Sequence, residues 1–262
     1  MIKKLPDDFE LTKRIIKRLS KYHAAAFYLE SEQKIDSSQF NSSLYANKAI
    51  AETMFNETLE VFIEKVESWE GFEKFVEPLK NYRKNYMERG LKSYTPSSGP
   101  FSFNVLNHGD FHLKNILYKI NDEGEVEDFI FFDYQVAIYA TPAVDLSYAL
   151  YNFVSDDNRE NRYDELLKVY HEQFVEALKK FGYIKAPPTL LDLQVEMMKN
   201  GNVQVLLGVC FYPFLLFDFS TLTAEDVTAG PKAFKTKIFE SENFKEVMRR
   251  ELPKFLHKGY LK

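Results

Sequence analysis

Two short β-rich segments in the middle of the chain constrain its fold more than any other feature. They are Ile116–Ile120 and Val126–Phe132, and the polar segment between them contains Gly124. A glycine in a short polar connection allows the positive φ angle of a tight turn, so the pair predicts a β-hairpin. The long segments on both sides have helical periodicity instead. We therefore expect a small hairpin embedded in a mostly helical chain.

Three polar side chains lie at one end of this predicted hairpin. Asp110 comes five residues before Asn115, which immediately precedes the first strand, and Asp133 directly follows the second strand. The start of one antiparallel strand lies beside the end of its partner. The hairpin should therefore bring one amide and two carboxylates to the same place.

These residue types at this spacing suit phosphoryl transfer. A carboxylate such as Asp110 can orient a hydroxyl group and accept its proton, and the oxygens of Asn115 and Asp133 are hard ligands suited to Mg²⁺. The run from His108 to Asn115 also has the His-x-Asp-x4-Asn spacing of the kinase catalytic loop. Asp133 occupies the position of the second metal-binding acid. The sequence thus predicts a site for ATP and Mg²⁺.

Other polar residues near the motif have more than one interpretation. Asp145 lies in the first turn of a helix predicted to begin at Thr141-Pro142, where it can accept backbone N–H bonds from a nearby loop. A role as a metal ligand is the alternative. His108 is predicted to support the loop by packing and hydrogen bonding. His112 and Lys114 could contact phosphate or substrate, or be solvated.

The remaining segments predict an α+β fold dominated by helix. Asp7 and Glu10 resemble a capping box at the start of the first helix, and His23 further along it is predicted to be half-buried without a chemical role. Phe101–Leu106 is predicted to be a strand. Thr189–Phe217 is predicted to be a long apolar helix with interruptions.

Composition limits the possible partners. The formal net charge of −5 and the scattered Lys and Arg residues argue against a nucleic-acid surface. The apolar run Val205–Phe217 is too short to cross a bilayer. A single cysteine, Cys210, and the absence of a signal-peptide pattern at Met1 favour a cytoplasmic protein. The sequence leaves the oligomeric state open.

Three motifs carry a family resemblance: L-N-H-G-D-F-H-L-K-N-I-L-Y, F-F-D-Y-Q and P-A-V-D-L-S-Y-A-L-Y. They resemble the CHK kinase-like, or ecdysteroid kinase-like, family, which is similar to choline kinases and aminoglycoside phosphotransferases. The resemblance implies a bilobal kinase-like fold and ATP-dependent phosphorylation of a small-molecule hydroxyl, possibly steroid-like. It also implies that Asp110 is the base, that Asn115 and Asp133 bind Mg²⁺, and that Asp145 braces the catalytic loop.

One feature departs from that family. None of the ten glycines lies in the first seventy residues, and no G-x-G-x-x-G spacing occurs. Because a kinase N-terminal lobe needs a glycine-rich loop and a phosphate-binding lysine, we expect residues 1–262 to form a single C-terminal-lobe domain, either a fragment or a natural truncation. The alternative function is an inactive pseudokinase remnant that binds or scaffolds. A Mg²⁺-dependent hydrolase is a third hypothesis, but it lacks a clear water-activating group.

Overall fold

The structure is a computed structural model, and it describes residues 8–41 and 48–262. The chain divides into two compact units. The hairpin unit comprises the described residues of 1–43 together with 92–200, and the helical unit comprises those of 44–91 together with 201–262. Among the described residues, every assigned strand belongs to the hairpin unit. The mostly helical α+β fold predicted from the sequence is confirmed.

The hairpin unit combines five helices with four short strands. Its helices are α1 (Phe9–Ser31), α5 (Ala143–Asn152), α6 (Asp156–Asn161), α7 (Tyr163–Phe181) and α8 (Leu190–Lys199). Its strands are β1 (Val105–Asn107), β2 (Ile116–Ile120), β3 (Val126–Phe131) and β4 (Ile138–Ala140). Helix α1 packs mainly on α7, where the rings of Phe27 and Phe174 meet edge to face at 5.6 Å. Phe174 is buried in this contact, which forms part of the hydrophobic core of the unit.

The strands form two separate antiparallel pairs. In the first pair Asn107 of β1 lies opposite Ile138 of β4, so the segment leading into the motif is tied to the segment leading into α5. In the second pair Ile116 lies opposite Phe131 and Leu117 opposite Ile130. Together the two pairs hold both ends of the motif loop.

Two arginines of α1 bind the outer edge of the hairpin. The guanidinium of Arg14 donates to the carbonyl oxygens of Val126 at 2.7 Å and Glu127 at 2.6 Å. One turn later, Arg18 donates to the Phe129 carbonyl, and its guanidinium lies 4.4 Å from the centre of the Phe129 ring. An edge strand otherwise exposes such carbonyls to water or to another strand. Helix α1 therefore covers the edge of β3 and fixes the hairpin against the helical layer.

The helical unit contains the remaining helices. They are α2 (Lys48–Ala51), α3 (Glu57–Glu67), most of α4 (Glu73–Ser93), α9 (Asn202–Leu206), α10 (Tyr212–Leu216), α11 (Ala224–Thr228), α12 (Pro231–Ile238) and α13 (Glu242–His257). Its core includes buried rings of Phe62, Trp69, Phe239 and Phe244 in mutual contact. Single π turns at Glu52–Asn56 and Leu207–Phe211 interrupt its helices.

Several predicted boundaries needed correction. Asp8 caps α1, accepting from the Glu10 and Leu11 N–H groups, whereas Asp7 lies outside the described residues. The strand predicted at Phe101–Leu106 is wrong in extent, because pairing with the unforeseen β4 begins only at Val105. The predicted helix over Thr189–Phe217 is divided into α8, α9, a π turn and α10. No helix among the described residues is long and apolar enough for a membrane span.

Candidate active site

A sharp turn between β1 and β2 presents the predicted motif. Gly109 has φ of +84°, a conformation that is costly for any side chain with a Cβ. A Cβ built there would lie 2.2 Å from the carbonyl oxygen of Val136, far inside van der Waals contact. The glycine therefore satisfies two needs at once: the left-handed backbone and the close approach of the neighbouring chain.

The buried carboxylate of Asp145 binds the backbone of this turn. Its Oδ2 accepts the His108 N–H at 2.6 Å, and its Oδ1 accepts the Gly109 N–H at 3.0 Å. The Asp145 N–H in turn donates to the side-chain oxygen of Asn107 at 3.2 Å. A buried charge is costly unless it is hydrogen-bonded, so these contacts join the first turn of α5 to the loop.

His108 connects the loop to the end of β3. Its Nε2 lies 2.8 Å from the carbonyl oxygen of Phe132, which can only accept, so the ring proton belongs on Nε2. Its Nδ1 can then accept the Asp110 N–H at 3.4 Å. One buried imidazole thus bridges the residue before Asp133 and the backbone of Asp110.

Asp110 is half-buried and surrounded by donors. Its Oδ2 accepts from His112 Nε2 at 3.2 Å and from the amide of Asn115 at 3.3 Å. Burial alone raises the pKa of this carboxyl group, but the His112 hydrogen bond, the electrostatic influence of His112 and His108 and the Asn115 hydrogen bond outweigh it. The net effect lowers the pKa, so Asp110 is a carboxylate at neutral pH.

Asn115 and Asp133 offer oxygen donors at the base of the hairpin. The Asn115 amide nitrogen donates to Asp110, which leaves its side-chain oxygen as the group available to a cation. The Phe132 N–H continues the strand pairing to the Asn115 carbonyl at 3.1 Å, so the exposed Asp133 follows immediately. Asp133 has φ of +67°, and non-glycine residues in this region often occur at functional sites.

This donor set fits Mg²⁺. The ion commonly takes one or two protein oxygens and completes its shell with water and substrate phosphates. The part of the chain that the structure describes has no cluster of three or more His, Cys, Asp or Glu residues able to hold a metal. A site built from Asn115 and Asp133 would therefore depend on a phosphate-bearing ligand.

The structure also adds residues that sequence reasoning missed. His23 is fully buried rather than half-buried, and its Nε2 lies 3.1 Å from Asp145 Oδ2. Its position four residues after Leu19 on the apolar stripe of α1 was a usable signal, because a polar residue there must find a partner. Nothing in the spacing indicated that His112 would bind Asp110. Lys114 lies exposed on the same loop.

In comparisons with known proteins, residues 2–183 match the model of the ecdysteroid kinase-like family. The match covers more than half of the chain, which therefore belongs to the ecdysteroid kinase-like family. No curated protein and no solved structure matched the chain.

Replacement of Gly109 tests the turn. Gly109→Ala should lower the free energy of unfolding well beyond Gly124→Ala, because both positions have positive φ but only Gly109 has a backbone atom where the Cβ must go. Left-handed strain should cost about 1–2 kcal/mol in each variant, and overpacking should add about 1–3 kcal/mol at Gly109. Urea denaturation measures both, and equal losses would contradict the steric explanation.

Removal of the His112 imidazole should raise the pKa of Asp110. His112→Leu deletes a hydrogen bond and a positive potential that favour the carboxylate, while the burial that disfavours it remains. In the wild type, the stability gained from this lowered pKa is lost as the pH falls through the folded-state value. A ¹³C NMR titration of the carboxyl group measures the shift. His171→Leu, in α7, serves as the control, and an unchanged Asp110 pKa in His112→Leu would refute the assignment.

Proposed function

We propose that this protein transfers a phosphoryl group from Mg²⁺-bound ATP to the hydroxyl group of a small molecule. The observation that carries the proposal is the ionised, half-buried Asp110 hydrogen-bonded to the Asn115 amide, with Asp133 directly after the Phe132 N–H that bonds the Asn115 carbonyl. Family membership supports a kinase-like phosphotransferase in general. ATP, Mg²⁺ and the alcohol acceptor are the finer parts of the proposal.

Asp110 is proposed to orient the acceptor hydroxyl. A carboxylate with a lowered pKa is a weak base, so its first contribution is to accept a hydrogen bond and align the oxygen. The proton passes to the carboxylate as the bond to phosphorus develops and the hydroxyl becomes more acidic. Asn115 and His112 hold Oδ2, and this leaves the other carboxylate oxygen for the acceptor.

Asn115 and Asp133 are the residues proposed to hold the metal. A bound Mg²⁺ would neutralise charge on the phosphate oxygens. The bridge through His108 supports this assignment, because it ties the Phe132 carbonyl, next to Asp133, to the backbone of Asp110. The His108 side chain would thus fix the position of the proposed base relative to the proposed metal ligands.

An exposed apolar pair next to these residues supports a nucleotide as the donor. Leu117 and Ile130 face each other across the hairpin and are 55% and 56% exposed. Leu117 lies two residues beyond Asn115, and Ile130 lies three residues before Asp133. An apolar surface beside the proposed metal and phosphate site suits the flat base of a nucleotide.

The acceptor and the domain arrangement are also proposals. Residues 1–262 are proposed to act as one kinase-like C-terminal-lobe domain, and a steroid-like alcohol is one acceptor class suggested by the family. The competing proposal is an inactive remnant that binds ligands without turnover. It is supported by the printed sequence, which contains no G-x-G-x-x-G spacing.

A phosphotransfer assay separates these proposals. The protein is incubated with Mg²⁺ and γ-labelled ATP and with a panel of steroid and other small alcohols. Wild type should label at least one acceptor, and Asp110→Asn should lower the rate by on the order of 10²–10⁴. Asp122→Asn, the same change in the exposed hairpin turn, should leave the rate unchanged.

Nucleotide binding, measured by calorimetry, completes the test. Binding of Mg²⁺-ATP without transfer to any acceptor would favour the non-catalytic remnant. Absence of both binding and transfer would contradict the proposed function. Full activity in Asp110→Asn would show that another group orients the hydroxyl.

A further inference from the structure

Three fully buried polar side chains connect α7 to the turn that precedes Asp110. The Tyr170 hydroxyl lies 2.7 Å from His23 Nδ1, and His23 Nε2 lies 3.1 Å from Asp145 Oδ2. The side chains of His23 and Asp145 have no exposed surface, and Tyr170 is 1% exposed. Burial of three polar groups is costly unless each of them has a partner.

The partners fix the direction of every hydrogen bond. A carboxylate can only accept, so the proton between His23 and Asp145 belongs to Nε2. Burial, reinforced by the charge of Asp145, raises the pKa of Tyr170 well above its usual value, so the phenol keeps its proton. Tyr170 can therefore donate to Nδ1, and the resulting chain runs from the phenol through the imidazole to the carboxylate.

Asp145 connects His23 to the loop that contains His108 and Gly109. Its Oδ2 accepts both the His23 N–H and the backbone N–H of His108, while Oδ1 accepts the N–H of Gly109. Three donors from two directions fix the rotation of the carboxylate plane. Because Asp110 follows Gly109 directly, a rotation of that plane would move the N–H groups it binds and would displace the Asp110 carboxylate.

We propose that His23 is a positioning residue for Asp110, and that Tyr170 holds the imidazole ring in the orientation in which His23 acts. His23 contacts neither the acceptor nor the phosphate. It acts through Asp145 and sets the orientation of the turn. Its effect on turnover rests on the proposed phosphotransfer function, whereas its effect on the loop does not.

The variants separate loss of the donor from loss of the fold. His23→Leu removes the N–H group, and His23→Gln places a side-chain N–H at a similar reach. Tyr170→Phe removes only the hydroxyl group that donates to Nδ1. His171→Leu on α7 serves as the control, because its imidazole contacts the Pro188 carbonyl, not Asp145.

NMR provides a readout that does not depend on activity. In the wild type, ¹⁵N shifts of the His23 ring should show a proton on Nε2 only, and Tyr170→Phe should move the Nδ1 signal because its hydrogen bond is lost. The amide proton shifts of His108 and Gly109 should move in His23→Leu and return toward wild type in His23→Gln. Unmoved amides in a folded His23→Leu would overturn the proposal. If that variant does not fold, unchanged His23 Nδ1 and amide shifts in Tyr170→Phe would overturn it.

Kinetics provide the second readout. His23→Leu should lower kcat by on the order of 10²-fold, the usual effect of a misplaced reacting group. KM for ATP should stay close to wild type, and His23→Gln should restore most of kcat. A wild type that lacks turnover refutes the proposed function, yet the amide shifts still decide the role of His23. Equal kcat in the leucine and glutamine variants would overturn the positioning role.

Discussion

The rest of the site depends on a buried carboxylate that holds two backbone N–H groups. Asp145 binds consecutive amides of the turn, those of His108 and Gly109, and Asp110 is the next residue along the chain. An ionised group in an apolar layer is tolerated only when its surroundings supply donors. Here the donors come from the loop itself and from His23 on α1. The need to satisfy one buried charge therefore draws three chain segments together.

The hairpin is held by a different kind of contact. Arg14 and Arg18, one helical turn apart, bind the carbonyl edge of β3, and their guanidinium groups lie over the aromatic ring of Phe129. A two-stranded hairpin alone is marginally stable in water. The arginines bind the carbonyl groups of one hairpin edge in place of a neighbouring strand. His108 binds the carbonyl of Phe132, just after β3, and so joins that end of the strand to the loop. The proposed metal ligands are thus fixed from both ends of β3.

Sequence reasoning recovered the parts of the fold that local patterns determine. Two β-rich segments joined by a polar, glycine-containing loop predicted the hairpin, and the structure has β2 with the predicted bounds. Strand β4 escaped prediction because three buried residues have no periodicity to detect. The partnership of His23 with Asp145 also escaped prediction, since the two are 122 positions apart and only tertiary packing joins them. Long-range polar contacts of this kind leave little trace in local composition.

The most direct test of the central claim is to locate a divalent cation on the protein. Mn²⁺, a paramagnetic substitute for Mg²⁺ with the same preference for oxygen ligands, is titrated with ATP into isotope-labelled protein. The side-chain signals of Asn115 and Asp133 should broaden first, and excess Mg²⁺ should reverse the effect. Broadening confined to other carboxylates, with these two signals unaffected, would contradict a phosphoryl-transfer site at the base of this hairpin.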